Sequence, residues 1–390
     1  MNHIKALVQM SVAALVICCA MAAQQPKTET AQRIPATREI LAQENVNFEL
    51  RERTAAPAIK STLSGLRKDI SAKQRTFTVG YTTALDLGLD QLAGTRIPKD
   101  IPAATIQAVN IRAQELMAID RRSAEVAHIQ LQPAACNAGA KSFDWRSLGK
   151  VSPVKAQICG TCWDFTSMGA YEGSYALRNN VTIDGSEQYI LNCAHAGSCS
   201  GGWWMPVFDS LITTGTAVET DDPFTGNDHA ACPTGTRTPY RASAWGFVSG
   251  DQWSIPAPAQ VKAALCQHGP LATAVMVDGG FQAYTGGVFD EHDVHFSGIN
   301  HGITIIGWDD NKGAWLIKNS WGTGWGESAG GTTRGYMWIK YNTNNVGIAT
   351  AWVDAVHNRY VLLPDWFKIL EKNKLSVRPL PGVRELAVPR

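Results

Sequence analysis

Hydrophobic and polar positions divide the chain into four stretches of different character. Ala6 to Ala20 is a short, largely apolar run behind Lys5, and it ends on Ala20-Met21-Ala22. A basic start, a short apolar middle and an A-x-A-like end predict an export signal, and the run is too short to span a bilayer. The stretch from Thr37 to Lys73 is patterned as helix, and Phe77 to Leu92 begins strand-like. After Pro102 a further helix is predicted, because Ile106, Val109, Ala113, Leu116 and Met117 fall on one face.

The pattern changes near Phe143. Trp163 to Tyr175 predicts a buried helix, with Phe165, Met168, Tyr171 and Tyr175 apolar. Beyond Leu271 short β-rich runs alternate with glycine turns: Leu271–Val277, Gly302–Trp308, Ala314–Lys318 and Gly335–Tyr341. A helical half followed by a strand-rich half predicts an α+β fold of two lobes. The tail after His357, with Pro364, Pro379, Pro381 and Pro389, reads as a surface strap or a disordered end. The expected divisions are 1–23 (export signal), 24–135 (propeptide or accessory segment), 136–356 (main domain) and 357–390 (tail).

Composition narrows the function. Apolar residues make up 45 % of the 390 and charged residues 18 %, enough to bury a sizeable core. A net charge of +1 without basic blocks gives no footprint for nucleic acid or an anionic membrane, and no later segment is apolar enough to cross one. Twelve of the thirteen tryptophans fall between Trp145 and Trp352, which marks that region as the aromatic-rich domain.

Nine cysteines less Cys18 and Cys19 in the signal leave seven: Cys136, Cys159, Cys162, Cys193, Cys199, Cys232 and Cys266. An exported chain retains disulfides, and an odd count leaves at least one thiol unpaired. Gln157-Ile158-Cys159-Gly160-Thr161-Cys162-Trp163 stands just before the predicted helix. A thiol at a helix N-terminus meets free N–H groups and the positive end of the dipole, both of which favour thiolate. From these residues alone a nucleophile, a structural pair, a thioredoxin-like redox pair and a zinc knuckle all stay open.

Further blocks follow in order. Asp144-Trp145-Arg146 and Val151-Ser152-Pro153-Val154-Lys155 precede the cysteine motif. Ser186-Glu187-Gln188, Cys199-Ser200-Gly201-Gly202, Asn300-His301-Gly302 and Lys318-Asn319-Ser320-Trp321-Gly322-Thr323-Gly324-Trp325-Gly326 follow it. Over about Phe143 to Val353 the sequence resembles the papain family of cysteine peptidases. The resemblance implies a papain-like two-lobed fold, with a helical left lobe and a β-barrel-like right lobe behind a partly helical N-terminal prosegment. It implies a secreted or periplasmic endopeptidase made as a monomeric zymogen, acting on peptides or proteins without metal or organic cofactor. Cys162 is then the nucleophile, His301 its base and Asn319 the residue that orients His301. Trp321 shields that pair, and Gln157 with the Cys162 N–H holds the oxyanion. By family position Cys159 pairs with Cys199 and Cys193 with Cys232. Val346 replaces a further family cysteine, and pairing Cys136 with Cys266 closes the count.

The resemblance also places Gly201 and Gly202 along the substrate backbone, and Trp203, Trp204, Met205, Gly302 and Ala351 near an apolar pocket for the P2 side chain. Packing of the tryptophans and Met205 in the core is the competing account. His292 and His295 form an H-x-x-H in an acidic loop, and no metal site is expected there. Two departures stand out. Only Ile158 separates Gln157 from Cys159 where the family has two residues, and Asp164 follows the nucleophile closely, where its charge is expected to raise the thiol pKa. The family's helical propeptide signature is not found in residues 24–135, where a binding or targeting role competes with inhibition. An active peptidase, a peptide-binding homologue with an impaired site and an acyl-transfer enzyme are the three functional readings.

Overall fold

A computed structural model describes residues 48–129, 135–293, 298–328, 334–359 and 363–372. The export-signal expectation at 1–23, His295 and the end of the tail lie outside them. The described N-terminal chain contains α1 (Phe48–Thr54), α2 (Pro57–Ala72), β1 (Thr78–Val79), a 3-10 turn (Thr83–Asp86), α3 (Leu89–Leu92) and α4 (Ala103–Val126). Pro57 stands at the start of α2, where its fixed φ fits and its missing N–H costs nothing. In α4 the predicted face is turned inward: Ile106, Val109, Ala113 and Leu116 are buried and Met117 partly so.

The left lobe holds α5 (Cys162–Asn179), α6 (Glu187–Cys193), the paired β3 (Gly197–Ser198) and β4 (Gly201–Gly202), and α7 (Trp204–Thr213). Helix α5 is buried from Cys162 to Ala176, as a helix between two lobes must be. It ends at Asn180, whose left-handed φ of 53° is one that asparagine tolerates.

The right lobe is one sheet. Its strands are β2 (Ser142–Asp144), β5 (Ala242–Phe247), β6 (Leu271–Val275), β8 (Val288–Phe289), β9 (His301–Asp309), β10 (Ala314–Lys318), β11 (Tyr336–Lys340) and β12 (Ile348–Ala355). The order is β5-β12-β6-β9-β10-β11-β8, with β2 also on β9, and every pair is antiparallel except β11–β8. Helix α8 (Pro258–His268) and the short α9 (Gly279–Gln282) belong to this half, and β7 (Tyr284–Gly286) pairs with β1 of the N-terminal chain. The α+β, two-lobed expectation holds. The barrel-like part of it is corrected: among the described residues β5 and β8 do not pair, so the sheet stays open. Strand β8 is only two residues long, and the free side of β5 is covered by α4, where Asn110 accepts from the Phe247 N–H at 3.3 Å.

The tail differs from the expected strap over residues 364–372. They form α10 (Pro364–Lys372), with Pro364 as the first helical residue and Trp366 only 1 % exposed, its indole donating to the Ser243 carbonyl at 3.2 Å.

Candidate active site

Cys162 opens α5 after Thr161 and is completely buried. It is the free cysteine among the described residues, and the other six close as Cys136–Cys266, Cys159–Cys199 and Cys193–Cys232. Its sulfur accepts from the Gly94 N–H at 3.1 Å and lies 3.2 Å from the Thr95 hydroxyl. Burial pushes the thiol up, but the facing His301 imidazole outweighs it, with help from Thr95 and Gly94, and brings the pKa down to about 7.

His301 is the first residue of β9 and is fully buried. Its Nε2 lies 2.8 Å from Asn319 Oδ1. Nδ1, on the opposite side of the ring, lacks an aligned hydrogen-bond partner among the described residues. Asn319 follows β10 and is fixed in turn: its N–H donates to the Gly335 carbonyl and its Oδ1 also accepts from the Ser320 N–H. Trp321 lies with its ring centroid 4.8 Å from that of His301 and is itself fully buried. Phe281 stacks on Trp325 and meets Trp321 edge-on, so an aromatic wall stands beside the His301–Asn319 bond.

Gln157 is pinned at both ends of its amide. Oε1 accepts from Ser320 Oγ at 2.6 Å, while Nε2 donates to the carbonyls of Cys159 (2.8 Å), Leu92 (3.1 Å) and Gln91 (3.3 Å). The amide thus already holds carbonyl oxygens from the N-terminal chain, which threads the cleft. Gly202 donates to the Gly94 carbonyl at 2.8 Å and accepts from the Arg96 N–H at 2.9 Å, a parallel bridge centred on Thr95. The Thr95 N–H donates to the Asn300 carbonyl at 2.9 Å, and Gly302 faces the Thr95 and Thr166 side chains. Gly201 lies against Arg96 and Gly94, and the Trp321 indole donates to the Leu92 carbonyl at 3.0 Å.

The structure therefore gathers Cys162, His301, Asn319, Gln157, Trp321, Gly201, Gly202 and Gly302 around one cleft. Trp203 and Trp204 pack together with centroids 4.4 Å apart, Trp203 also stacks on Phe247, and Ala351 pairs with Phe247 across the sheet. These residues and Met205 are all buried. Gly94, Thr95 and Phe281 are site residues that the sequence reading missed, since none carries a motif of its own.

Asp164 stands in the first turn of α5, two residues after Cys162. Its carboxyl is fully buried and neither oxygen has a hydrogen-bond partner. Burial, and then the nearby Glu187, push its pKa well above the ordinary carboxylate value, which favours the uncharged acid. Glu187 and Glu172 share Lys155 at 2.8 and 3.0 Å. His292, one half of the H-x-x-H, lies 2.6 Å from Asp278.

A buried thiol at a helix N-terminus, an imidazole and an asparagine held in line across a two-lobed cleft define a class of thiol-dependent site. The model of the papain family cysteine proteases matches residues 139–356. The chain belongs to that family. It is 34 % identical to the cathepsin L of Sarcophaga peregrina over 225 residues, 54 % of this chain and 62 % of that one. It is 32 % identical to the fruit bromelain of Ananas comosus over 216 residues, 54 % and 59 % of the two chains. The chain thus spans little more than half the length of these curated relatives. The solved digestive procathepsin L2 of the Tenebrio molitor larval midgut superposes with a TM-score of 0.60 at 23 % identity, covering 83 % of this chain and 99 % of that one. The recombinant stem bromelain precursor gives 0.56 at 21 %, over 83 % and 98 %. Both likenesses show that the fold extends through the N-terminal chain.

Proposed function

We propose that this protein is an exported cysteine endopeptidase, held inactive by its own N-terminal segment. The observation that carries the reading is the Cys162 thiol, with its lowered pKa, facing a His301 ring whose far nitrogen is fixed by Asn319. The Cys162 thiolate attacks the scissile carbonyl carbon, and the carbonyl π pair moves onto oxygen. Gln157 Nε2 and the Cys162 N–H stabilise that oxyanion. As the C–N bond breaks, protonated His301 gives its proton to the leaving amine. Water then attacks the thioester, His301 takes a water proton, and the carboxylic acid leaves as the thiolate is restored. Asn319 keeps the imidazole in one tautomer and orientation, and Trp321 keeps water away from their bond.

The N-terminal segment fits an inhibitor. At the nucleophile it presents the N–H of Gly94, which is not an electrophile, while the Gly94 carbonyl is committed to Gly202. Export is supported by the signal-like start and by three disulfides in the described chain. Gly201 and Gly202 are read as backbone partners of an extended substrate, and the apolar group Trp203, Trp204, Met205, Gly302 and Ala351 as the wall favouring a hydrophobic P2 residue.

The test is labelling with an epoxysuccinyl peptide after acid or protease activation, located by mass spectrometry with Cys162→Ala as control. One label per chain on Cys162 is expected. A folded, processed and reduced sample that takes no label would sink the reading. The peptide-binding alternative would then be preferred, on the observation that Gln157 Nε2 donates to its own loop at Cys159.

A further inference from the structure

The cleft-crossing segment and α4 are attached to the rest of the molecule in different ways. Upstream of Ile97, the ion pairs Arg51–Asp86 and Arg67–Glu52 are internal to the N-terminal segment and half-exposed, and the segment reaches the domain through the short β1–β7 pairing and through Arg75, 3.6 Å from Asp290. Helix α4 is built into the domain instead. Arg112, 1 % exposed, pairs with buried Asp209 of α7, which also accepts from the Trp245 indole of β5 at 2.7 Å. Asp120 of α4 pairs with Arg178 of α5, whose other partner is Asp354 of β12 at 3.4 Å. Asn110 joins the edge of β5, accepting from Phe247 and donating to the Gly250 carbonyl at 2.6 Å. Gly246 of β5 has no side chain where Ala113 approaches; a Cβ there would lie 3.2 Å from the Ala113 methyl. The C-terminal α10 adds a second clasp, with Arg122 of α4 3.1 Å from Asp365 and Trp366 bonded to β5.

Losing α4 would leave the Asp209 carboxylate buried without its cation and uncover an edge strand, both strongly unfavourable. Between cleft and helix the chain is accessible: Lys99 and Asp100 are exposed and Pro98 is half-exposed. The bridge from Cys136 to Cys266 adds a constraint, since a cut after Cys136 would leave everything upstream attached. We propose that activation cleaves the chain at residues 98–102 and that α4 stays as a permanent part of the mature enzyme. The processing site rests on the zymogen reading above, whereas retention of α4 rests on its own contacts.

The test uses the full chain in two forms. Cys162→Ala, which cannot process itself, is treated with trypsin; the wild-type chain is activated by acid. Intact mass and N-terminal sequence are read under reducing conditions. In both, the stable product is expected to begin between residues 98 and 102, with trypsin cutting after Lys99. A stable product beginning at 130–139, with α4 lost, overturns the proposal. Wild-type chain that never processes, beside a Cys162→Ala product that retains α4, would sink the peptidase reading and leave retention standing. As a second check, Asn110→Ala should lower the Tm of the isolated product by about 4–8 °C, since it removes both hydrogen bonds of Asn110, from Phe247 and to Gly250. An unchanged Tm would place α4 outside the product and overturn the proposal.

Discussion

The Gly94 N–H donates directly to the Cys162 sulfur over 3.1 Å, so the thiol of the full chain is capped by a backbone group. Only glycine fits there, because a Cβ at Gly94 would collide with the Gly160 carbonyl. Gly94→Val is therefore expected to lift the segment. Overpacking costs about 1–3 kcal/mol, which corresponds to labelling of the unprocessed chain on the order of 10- to 100-fold faster. The check is the rate of epoxysuccinyl labelling, counted only on molecules of full-length mass. An unchanged rate would mean that this contact does not gate the site.

The pH dependence follows from what lowers the thiol. Thiolate is the reactive form, so its fraction rises with pH through about 7 and levels off above. His301 is the largest of the influences that lower the pKa, so His301→Ala should move the midpoint upward, towards an ordinary cysteine. Thiolate ultraviolet absorbance, taken as the difference from Cys162→Ala, measures both midpoints. Equal midpoints in wild type and His301→Ala would show that the imidazole does not set the thiol.

Gln157 tests whether the shortened loop still delivers an oxyanion donor. Ser320 holds its Oε1, and Nε2 already binds the Leu92 carbonyl at 3.1 Å, so the amide is aimed at an acceptor in the cleft. Gln157→Ala should lower kcat/KM of the processed enzyme by about 10²–10³-fold, mostly through kcat. A loss below about threefold would assign the oxyanion to backbone groups alone.

Much of this arrangement is legible in the sequence, and the illegible part has physical causes. The α4 face shows because its burial repeats with the helical period, whereas α5 and the strands at 271, 302 and 314 are buried nearly throughout and, like the strand at 335, show through their apolar and aromatic content. Cys162, His301 and Asn319 show through their motif surroundings. Gly94 and Thr95 do not, because their work is done largely by backbone and by position, which no residue type announces. Asp164 is harder to read for a related reason: its type implies a charge, and its burial, which no residue type announces, pushes its pKa upward. Pro364 reads as a breaker, yet at a first helical position it starts α10. Arg112 and Asp120 weaken the apolar signal of α4, and their partners, Asp209 and Arg178, lie far along the chain.

The Arg112–Asp209 pair is the most exacting of these links to test. Both side chains are nearly fully buried, so removing one strands the other's charge without water to compensate. Arg112→Ala should cost about 3–5 kcal/mol of stability in the full chain, read as a lower midpoint in urea at unchanged slope. The slope matters: a changed slope would mean that α4 had come off rather than that a buried charge had been exposed. Adding Asp209→Leu should recover part of the loss, because it removes the buried unpaired carboxylate. The Trp245 indole then loses its acceptor, which limits the recovery by about 1–3 kcal/mol. If the double variant were no more stable than Arg112→Ala alone, the cost would lie in lost packing of the arginine stem, and the charge pair would not be what binds α4 to the domain.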